Sequence, residues 1–347
     1  MSSQGRSKLV DVSLAAGVSL ATVDRVLNGR PGVRPATVER VNRAVRQLDY
    51  RPDQAASRLA RGRSWSLHYV LPKGTNSFVR MLAATIDELQ PWLREQRART
   101  VVDLVDVFSA SALAEHLLAL RGRVDAVVVM AIDHPLVRHA IDGLVESGIV
   151  VITMVSDVPG SRRQHYVGID NVAAGRTAGS LLGRFLGKPP PGPGPVGIVL
   201  GSRSLRDHAE RLFGFRQVMD EEYPAWPLLE PIEGFDSTDK TRPLVVKLLE
   251  QHPKLAALYS IGAGNRGIHD ALVATGRATK VIWVCHELTP HAREALINGV
   301  ADVVINQDVG HEVRSSVRLA MARLGGDRLI ESQERIRIDL FLRDNLT

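Results

Sequence analysis

From residue 64 onward, short apolar segments alternate regularly with amphipathic segments of helical spacing. We predict strands at 67–71, 101–107, 126–130, 150–154, 166–169, 196–200, 256–261, 281–285, 303–306 and 336–341. Between most of them lie predicted helices, among them 79–95, 110–121, 136–147, 173–185 and 206–221. Apolar strands separated by helices are typical of parallel sheets that are covered on both faces. Ten strands are too many for one ordinary sheet, which predicts two α/β lobes.

The first 63 residues differ from the rest of the chain in charge. They contain 12 lysine and arginine residues and five acidic residues, a net charge of +7. The remaining residues carry a net charge of −1, so the whole formal charge of +6 is concentrated at one end. Such an asymmetry is expected where one part of a protein binds a polyanion. A solvated basic surface without a partner stays an alternative on charge alone.

This basic segment has the spacing of a helix-turn-helix. The apolar pattern at 10–16 predicts a helix that stops at Gly17, and Ser19 is a favourable N-cap for a second helix over 20–27. A third helix is predicted to begin at Pro35, with an apolar stripe of Val38, Val41, Ala44, Val45 and Leu48. The predicted core of the first two helices consists of Val12, Ala15 or Ala16, Val18, Val23 and Val26.

Several stretches of this segment resemble the DNA-binding head of the lactose/galactose repressor (LacI) family. They are LVDVSLAAGVSLATVDRVLN at 9–28, VRPAT at 33–37, LDYRP at 48–52 and AASRLA at 55–60. The resemblance implies a transcription factor, most often a repressor, that binds double-stranded operator DNA. It also implies that residues 1–51 form the head and that residues 52–63 form a hinge helix which becomes ordered on DNA.

The resemblance assigns roles to residues of the head. It implies that Leu20 and Ala21 face base edges in the major groove, that Arg25 contacts a guanine or a phosphate, and that Thr22 and Asn28 meet the DNA backbone. In the hinge, Leu59 would be inserted into the minor groove beside Ala56. The predicted DNA interface comprises Ser19, Leu20, Ala21, Thr22, Asp24, Arg25, Asn28, Ala56 and Leu59.

Three features depart from the family pattern. Asp24 stands where the family usually has a serine, and phosphates repel a carboxylate there unless it accepts a hydrogen bond from a cytosine amino group. Leu20 and Ala21 have no hydrogen-bonding side chain, so readout through thymine methyl groups and DNA shape is expected. Arg34 replaces the usual hydroxyl cap of the third helix, which predicts a weaker cap.

Polar residues follow several predicted strands of the α/β region. In open α/β sheets, ligands bind beyond the carboxyl ends of the strands, so these residues predict a ligand site. Each of them alone is more often a cap or turn residue, and it is their shared placement that supports the site. They are Asn76, Ser77, Phe78, Ser156, Asp157, Arg206, His208, Arg211, the segment 262–267, His286, Glu287, Gln307 and Asp308.

The same region resembles the type I periplasmic-binding-protein fold, which is the effector domain of the LacI family. YVGIDN at 166–171, GAGNRG at 262–267, VCHELT at 284–289 and INQD at 305–308 carry the resemblance to its sugar-sensing branch. It implies that Arg211 grips a hydroxyl or ring oxygen of a sugar or polyol and that Phe78 stacks on the ring. His286 replaces a common aspartate, so Glu287 or Asp157 would have to supply a carboxylate. The predicted effector residues are Phe78, Asp157, Arg211, Asn265, His286, Glu287 and Gln307.

Two other functions compete with this interpretation. The segment 262–267 is also a G-x-G-x-x-G motif with Glu287 about twenty residues further on, which is typical of a dinucleotide-binding enzyme. A transport-type sugar-binding protein is the second alternative. We nevertheless expect no enzymatic activity and no cofactor, because no nucleophile elbow, Walker A motif or metal-ligand spacing is present in the sequence.

The predicted architecture is a small all-α helix-turn-helix head followed by a two-lobed α/β domain of the periplasmic-binding-protein type I fold. Residues 64–347 would form the effector-binding and dimerisation domain, with one lobe at 64–170 plus 302–334 and the other at 171–301 plus 335–347. A homodimer is expected because no apolar heptad repeat follows the last strand. The single cysteine, Cys285, and the lack of a signal peptide or a membrane-spanning segment predict a cytoplasmic, nucleoid-associated protein without a membrane partner.

The hinge assignment predicts how one substitution affects DNA binding. Leu59→Ala should weaken specific operator binding, because an apolar side chain inserted at a base step unstacks and bends the duplex. Non-specific, salt-dependent binding should stay almost unchanged, since it depends on phosphate contacts. Footprinting on operator DNA beside a random duplex measures both, and unchanged operator affinity would refute the role of Leu59.

Overall fold

The computed structural model describes residues 7–27, 30–50, 64–74 and 76–346. The described residues form two compact units that divide after Ser64. Asn28, Ala56, Leu59 and the predicted hinge at 52–63 lie outside the described residues, so the roles assigned to them stay predictions.

The first unit contains the predicted three helices, α1 (Leu9–Ala16), α2 (Leu20–Leu27) and α3 (Pro35–Gln47). Gly17 has a left-handed backbone with φ of 61°, which allows the chain to turn directly after α1. The Oγ atom of Ser19 accepts a hydrogen bond from the backbone amide of Thr22 at 3.2 Å, as expected of an N-cap. Arg34 makes no capping hydrogen bond with its side chain, in agreement with the expected weak cap. The buried core consists of Val12, Ala16, Val23, Val41 and Ala44.

The first lobe of the second unit is built on a parallel sheet with strand order β2-β1-β3-β4-β5. Its helices lie on both faces, and the predicted helix 79–95 is two helices that meet at Leu89. Pro91 explains the break, because proline has no amide hydrogen for the preceding turn. The strands are β1 (Trp65–Pro72), β2 (Ala98–Val105), β3 (Ala126–Val129), β4 (Val150–Met154) and β5 (His165–Val167). The helices are α4 (Ser77–Glu88), α5 (Gln90–Glu95), α6 (Ala110–Ala119) and α7 (Pro135–Glu146).

The second lobe has a six-stranded sheet with strand order β11-β10-β9-β8-β6-β7, in which only β11 is antiparallel to its neighbour. The short strand β7 was not predicted, because two residues carry no periodic pattern. The strands are β6 (Val196–Leu200), β7 (Ile232–Glu233), β8 (Ala257–Ser260), β9 (Ile282–His286), β10 (Val303–Gln307) and β11 (Ile338–Phe341). The helices are α8 (Asn171–Leu186), α9 (Arg206–Glu222), α10 (Thr238–Gln251), α11 (Asn265–Ala274), α12 (Pro290–Ile297) and α13 (Val309–Gly325).

The predicted lobe boundary at 302 is wrong. Strand β10 pairs with β9 and β11, with Val303 opposite Val284, and therefore belongs to the second sheet. Helix α13 contacts α4, β3, β4 and β5 of the first lobe. The chain thus returns to the first lobe between Gln307 and α13. The prediction failed because an apolar strand suits either sheet, and only its backbone pairing decides between them.

Close packing of α8 on α9 determines where the polar residues of α9 lie. A Cβ atom at Gly175 would overlap the backbone carbonyl of Arg211, and one at Gly214 would overlap the carbonyl of Val172. The two helices can approach this closely only because both positions are glycine. This contact holds the backbone of Arg211 against α8.

Gly175→Ala should lower the free energy of unfolding by about 1–3 kcal/mol, the usual cost of adding a methyl group to a packed site. Gly143→Ala in α7 is the matched control, because a Cβ there would meet mainly the flexible end of the Arg121 side chain. The control should be neutral or stabilising by up to about 1 kcal/mol, since alanine favours the helix over glycine. Denaturant unfolding measures both variants, and equal stabilities would refute the close α8–α9 contact.

Candidate functional site

The first unit presents a concave basic surface. It contains three arginines, Arg25, Arg34 and Arg40, together with the hydroxyl groups of Thr22 and Thr37. The predicted base-reading residues Leu20 and Ala21 are exposed on α2. Guanidinium and hydroxyl groups at one surface are suited to phosphate oxygens, while exposed apolar groups beside them can contact bases.

Asp24 is not an isolated negative charge at this surface. Its carboxylate forms an exposed ion pair with Arg30, with Oδ2 and Nη1 separated by 3.4 Å. The pairing offsets part of the repulsion expected between Asp24 and phosphates. An exposed pair of this kind contributes little to stability, so Arg30 can exchange Asp24 for a phosphate at small cost.

In the second unit, loops from both lobes line a cleft. The cleft measures about 380 Å³, including its open mouth. The first lobe contributes Phe78 of helix α4. Asn76 caps this helix, and its Oδ1 atom accepts a hydrogen bond from the Phe78 amide at 2.9 Å. The second lobe contributes Asp236, Thr238, residues 263–266 at the start of α11, His286, Glu287, Thr289 and His291. Of the predicted effector residues, Phe78, Asn265, His286 and Glu287 therefore lie at the cleft.

Arg211 lies beneath the cleft in a dense polar network. It is only 1% exposed, and its Nε donates to Oδ1 of Asn171 at 2.8 Å. One terminal nitrogen donates to the carbonyl of Ile261 at 2.9 Å, and the other lies 3.4 Å from Oε1 of Glu287. The same carboxylate oxygen accepts a hydrogen bond from Nε2 of Gln307 at 2.7 Å. The structure thus brings together three predicted residues that are far apart in sequence, namely Arg211, Glu287 and Gln307.

Burial controls the charges at this network. It raises the pKa of Glu287, although Arg211 and Gln307 partly oppose the shift. Burial also lowers the pKa of His286 well below its ordinary value, with Arg211 adding to the effect, so this imidazole is neutral. The ring nitrogen Nε2 of His286 lies 2.8 Å from the hydroxyl of Tyr259. His286 therefore acts as a neutral hydrogen-bonding group, while the guanidinium of Arg211 is the cation that favours the ionised form of Glu287.

Asp157 is not part of the network. Its carboxylate accepts hydrogen bonds from Thr153 and Val158 at 2.6 and 2.7 Å and is paired with Arg163. Of the two carboxylates predicted as substitutes for the family aspartate, Glu287 and Asp157, it is Glu287 that lies at the cleft and pairs with Arg211. Asn265 lies at the cleft, yet both ends of its amide are already bonded, to Ser260 and to the carbonyl of His286, each at 2.8 Å.

Three acidic residues near the network were missed by sequence reasoning. Asp207 and Glu312 are 2% and 0% exposed, and Asp236 lies at the cleft with its Oδ1 accepting from the Ala263 amide at 2.9 Å. Asp207 stands between two residues that the strand-end rule did select, Arg206 and His208. Nothing in the sequence marks Glu312, because acidic residues in helices are mostly solvent-exposed.

The glycines at 262–267 have a packing role. The space where a Cβ of Gly262 would lie is filled by His208 and Asp236, and that at Gly264 by Thr241. A Cβ at Gly267 would meet the carbonyl oxygen of Thr238 at 2.6 Å. The glycines of this turn are therefore required by its close packing against Thr238, Thr241, His208 and Asp236 of the same lobe, a structural role that needs no bound dinucleotide.

Within the described ranges, no group of three or more histidine, cysteine, aspartate or glutamate residues is arranged to hold a metal ion. No helix in that part of the chain is long and apolar enough to cross a membrane.

The Arg211–Glu287 pair predicts a pH-dependent stability effect. Arg211→Met should lower the free energy of unfolding by about 3–5 kcal/mol at neutral pH, because it leaves a buried carboxylate without a cation. Burial raises the pKa of Glu287 and Arg211 opposes that shift, so the variant's carboxyl group should take up a proton more readily, and the loss should be smaller at acidic than at neutral pH. Denaturant unfolding at both pH values measures this. The double variant Arg211→Met/Glu287→Gln should recover most of the lost stability, and equal losses for the single and double variants would refute the pairing.

Comparisons with known proteins agree with both units of the structure. Residues 84–328 match the family described as periplasmic binding protein domain, and residues 8–53 match bacterial regulatory proteins of the lacI family. The chain is 26% identical to catabolite control protein A of Priestia megaterium over 259 residues, which cover 72% of each protein. It is 34% identical to the HTH-type transcriptional regulator AglR of Rhizobium meliloti (strain 1021) over 179 residues, or 48% of this chain and 46% of AglR.

Solved structures show the same fold for the second unit. A putative LacI transcriptional regulator from Bacteroides fragilis matches with a TM-score of 0.70 at 18% identity, over 82% of this chain and 98% of that one. GanP, a glucose-galactose binding protein from Geobacillus stearothermophilus, matches with a TM-score of 0.69 at 18% identity, over 82% and 99% of the two chains. The chain therefore belongs to the LacI family of bacterial regulatory proteins, with a helix-turn-helix head followed by a periplasmic-binding-protein domain.

Proposed function

We propose that this transcriptional regulator is a repressor whose affinity for operator DNA is set by a small polar effector, a sugar or polyol, bound in the cleft between the lobes. The observation that carries the proposal is the buried Arg211–Glu287–Gln307 network beside the cleft. Oε2 of Glu287, Oε1 of Gln307 and Nδ1 of His286 are buried and have no hydrogen-bond partner among the described residues. Buried polar atoms are costly without partners, and hydroxyl groups of a ligand would satisfy them.

The composition of the cleft supports a polyhydroxylated ligand. Phe78 offers an apolar face at the first lobe, while Glu287 and Asp236 offer acceptors at the second. Small-molecule sites commonly combine an aromatic wall with a few placed polar groups. Sugars present the matching pattern, because their rings have an apolar face and a rim of hydroxyl groups.

Structural relatives point in the same direction. GanP is described as a glucose-galactose binding protein, and a solute-binding protein from Agrobacterium vitis that shares the fold, with a TM-score of 0.71 at 17% identity, is bound to α-D-tagatopyranose. These identities are too low to transfer a ligand. They support the proposal that the cleft of this chain takes a molecule of similar size and polarity.

Family membership supports a particular mode of DNA binding. We propose a cytoplasmic, nucleoid-associated homodimer whose two heads occupy two half-sites of an operator, as expected for helix-turn-helix dimers on near-palindromic sites. The basic surface with Arg25, Arg34 and Arg40 would contact phosphates, and Leu20 and Ala21 would face the bases. Effector binding would change the relation between the lobes and so the spacing of the heads.

A titration of the operator complex with sugars and polyols tests this function. The active compound should change operator affinity of the natural protein. Arg211→Lys, which keeps the charge beside Glu287 but loses the planar fork, should require about ten times more effector. Operator affinity without effector should stay unchanged, because the substitution lies in the second unit.

Arg176→Ala is the control, since Arg176 is an exposed arginine on the neighbouring helix α8. It should respond at the natural concentration of effector. An Arg211→Lys protein that responds as the natural protein does, measured by fluorescence anisotropy on labelled operator, would refute the assignment of the effector site.

A further inference from the structure

The buried polar atoms around Arg211 include a surplus of acceptors. Glu312 is 0% exposed, and neither of its carboxylate oxygens has a hydrogen-bond partner in the part of the chain that the structure describes. Within the same residues, Oδ1 of Asp207, Oε2 of Glu287 and Oε1 of Gln307 are also buried without partners. Carboxylate and amide oxygens accept hydrogen bonds and cannot donate them. Five acceptor oxygens therefore lack an N–H or O–H group.

The ionisable groups around Arg211 include more acidic than basic residues. Arg211 is paired with Glu287, and Oδ2 of Asp207 lies 3.6 Å from Nε2 of His208. Among the described residues, Glu312 forms no ion pair. Burial raises the pKa of Glu312 well above its ordinary value, and the neighbouring carboxylate of Glu287 raises it further. The arrangement is costly unless Glu312 takes up a proton or receives a cation.

Glu312 lies at the junction of the two lobes. It belongs to the first turn of α13, and this helix begins two residues after Gln307, the last residue of β10. While β10 pairs within the second sheet, α13 packs against β4 and β5 of the first lobe. The charged groups that act on Glu312 are Glu287, Arg211, Asp308 and Asp207. The unpartnered carboxyl group is thus within electrostatic range of Glu287, which lines the cleft, and of Arg211, which is paired with Glu287.

We propose that the effector of this cleft carries an amine in addition to hydroxyl groups, and that Glu312, with Asp207 and Glu287, binds the amine. The inference rests on the proposed function and specifies its ligand class. An ammonium group supplies three N–H donors and the missing positive charge. A neutral sugar supplies donors but leaves the charge unmatched, and a sugar acid adds a further negative charge.

Matched compounds test the ligand class on the full-length protein. Two series are suitable: sorbitol, 1-amino-1-deoxysorbitol and gluconate, and glucose, glucosamine and glucuronate. In calorimetric titrations, the amine should bind at least about tenfold more tightly than its neutral parent in one series or both. The acid should bind least. A neutral parent that binds as tightly as its amine would overturn the inference while leaving the proposed function intact.

Glu312→Gln tests the residue, with Glu294→Gln as the control because Glu294 is an exposed glutamate on α12. Glu312→Gln should reduce amine binding about tenfold and change binding of the neutral parent less than about twofold. Glu294→Gln should change neither. If Glu312 only holds a proton, Glu312→Gln will raise the melting temperature without ligand and leave the amine preference unchanged, which overturns the inference. Failure of all six compounds to bind overturns both the inference and the proposed sugar or polyol effector.

Discussion

The buried ion pair between Arg211 and Glu287 is the interaction on which the rest of the second unit depends. Two groups that are 1% and 6% exposed are costly to bury, and hydrogen bonds from the protein offset this cost at Arg211 and at Oε1 of Glu287, while Oε2 of Glu287 has no partner among the described residues. The partners come from separate elements: Asn171 opens α8, Gln307 closes β10, and the carbonyl of Ile261 follows β8. These elements must therefore meet at one point. The glycines of α8 and α9 permit this, because they let the backbone carrying Arg211 lie directly against α8.

Three of the six described non-glycine residues with positive φ lie at or next to the same cleft. Glu287 has a φ of 68°, and the consecutive residues Phe235 and Asp236 have φ values of 50° and 53°. Side chains other than glycine adopt this left-handed region rarely, at a cost of about 1–3 kcal/mol each. The strain places Glu287 and Asp236 at the cleft, and Phe235, which is 48% exposed, turns outward under the ammonium group of Lys240. Such strain persists where surrounding contacts hold the residue in place. At Asp236, the hydrogen bond that its carboxylate accepts from the Ala263 amide is a contact of this kind.

Sequence periodicity was sufficient for the helices of the head and for ten strands of the two lobes, because burial on one face or on both leaves a regular apolar pattern. The strand-end rule also selected Arg211, Glu287 and Gln307, since parallel strands bring their carboxyl ends to one edge. The rule could not show that Asp157 lies outside the network, because its pairing with Arg163 is not visible in the sequence. Nor could it find Glu312, because a helical glutamate reveals its burial only once the packing of α13 is known. Pairing partners were equally hidden, which is why β10 was assigned to the wrong lobe.

The position of the network suggests how binding and lobe geometry can be linked without a long chain of contacts. The chain passes from the first lobe to the second between β5 and α8, and Asn171 is the first residue of α8. It returns after Gln307, where β10 gives way to α13. Both residues bond directly to the Arg211–Glu287 pair, so a ligand that takes over one of these hydrogen bonds acts at a crossover between the lobes. Coupling between ligand binding and lobe geometry requires a structural element whose state depends on both the ligand and the arrangement of the lobes. The same residues therefore support the cleft-lining Glu287 through the Arg211–Glu287 pair and lie at the two connections between the lobes.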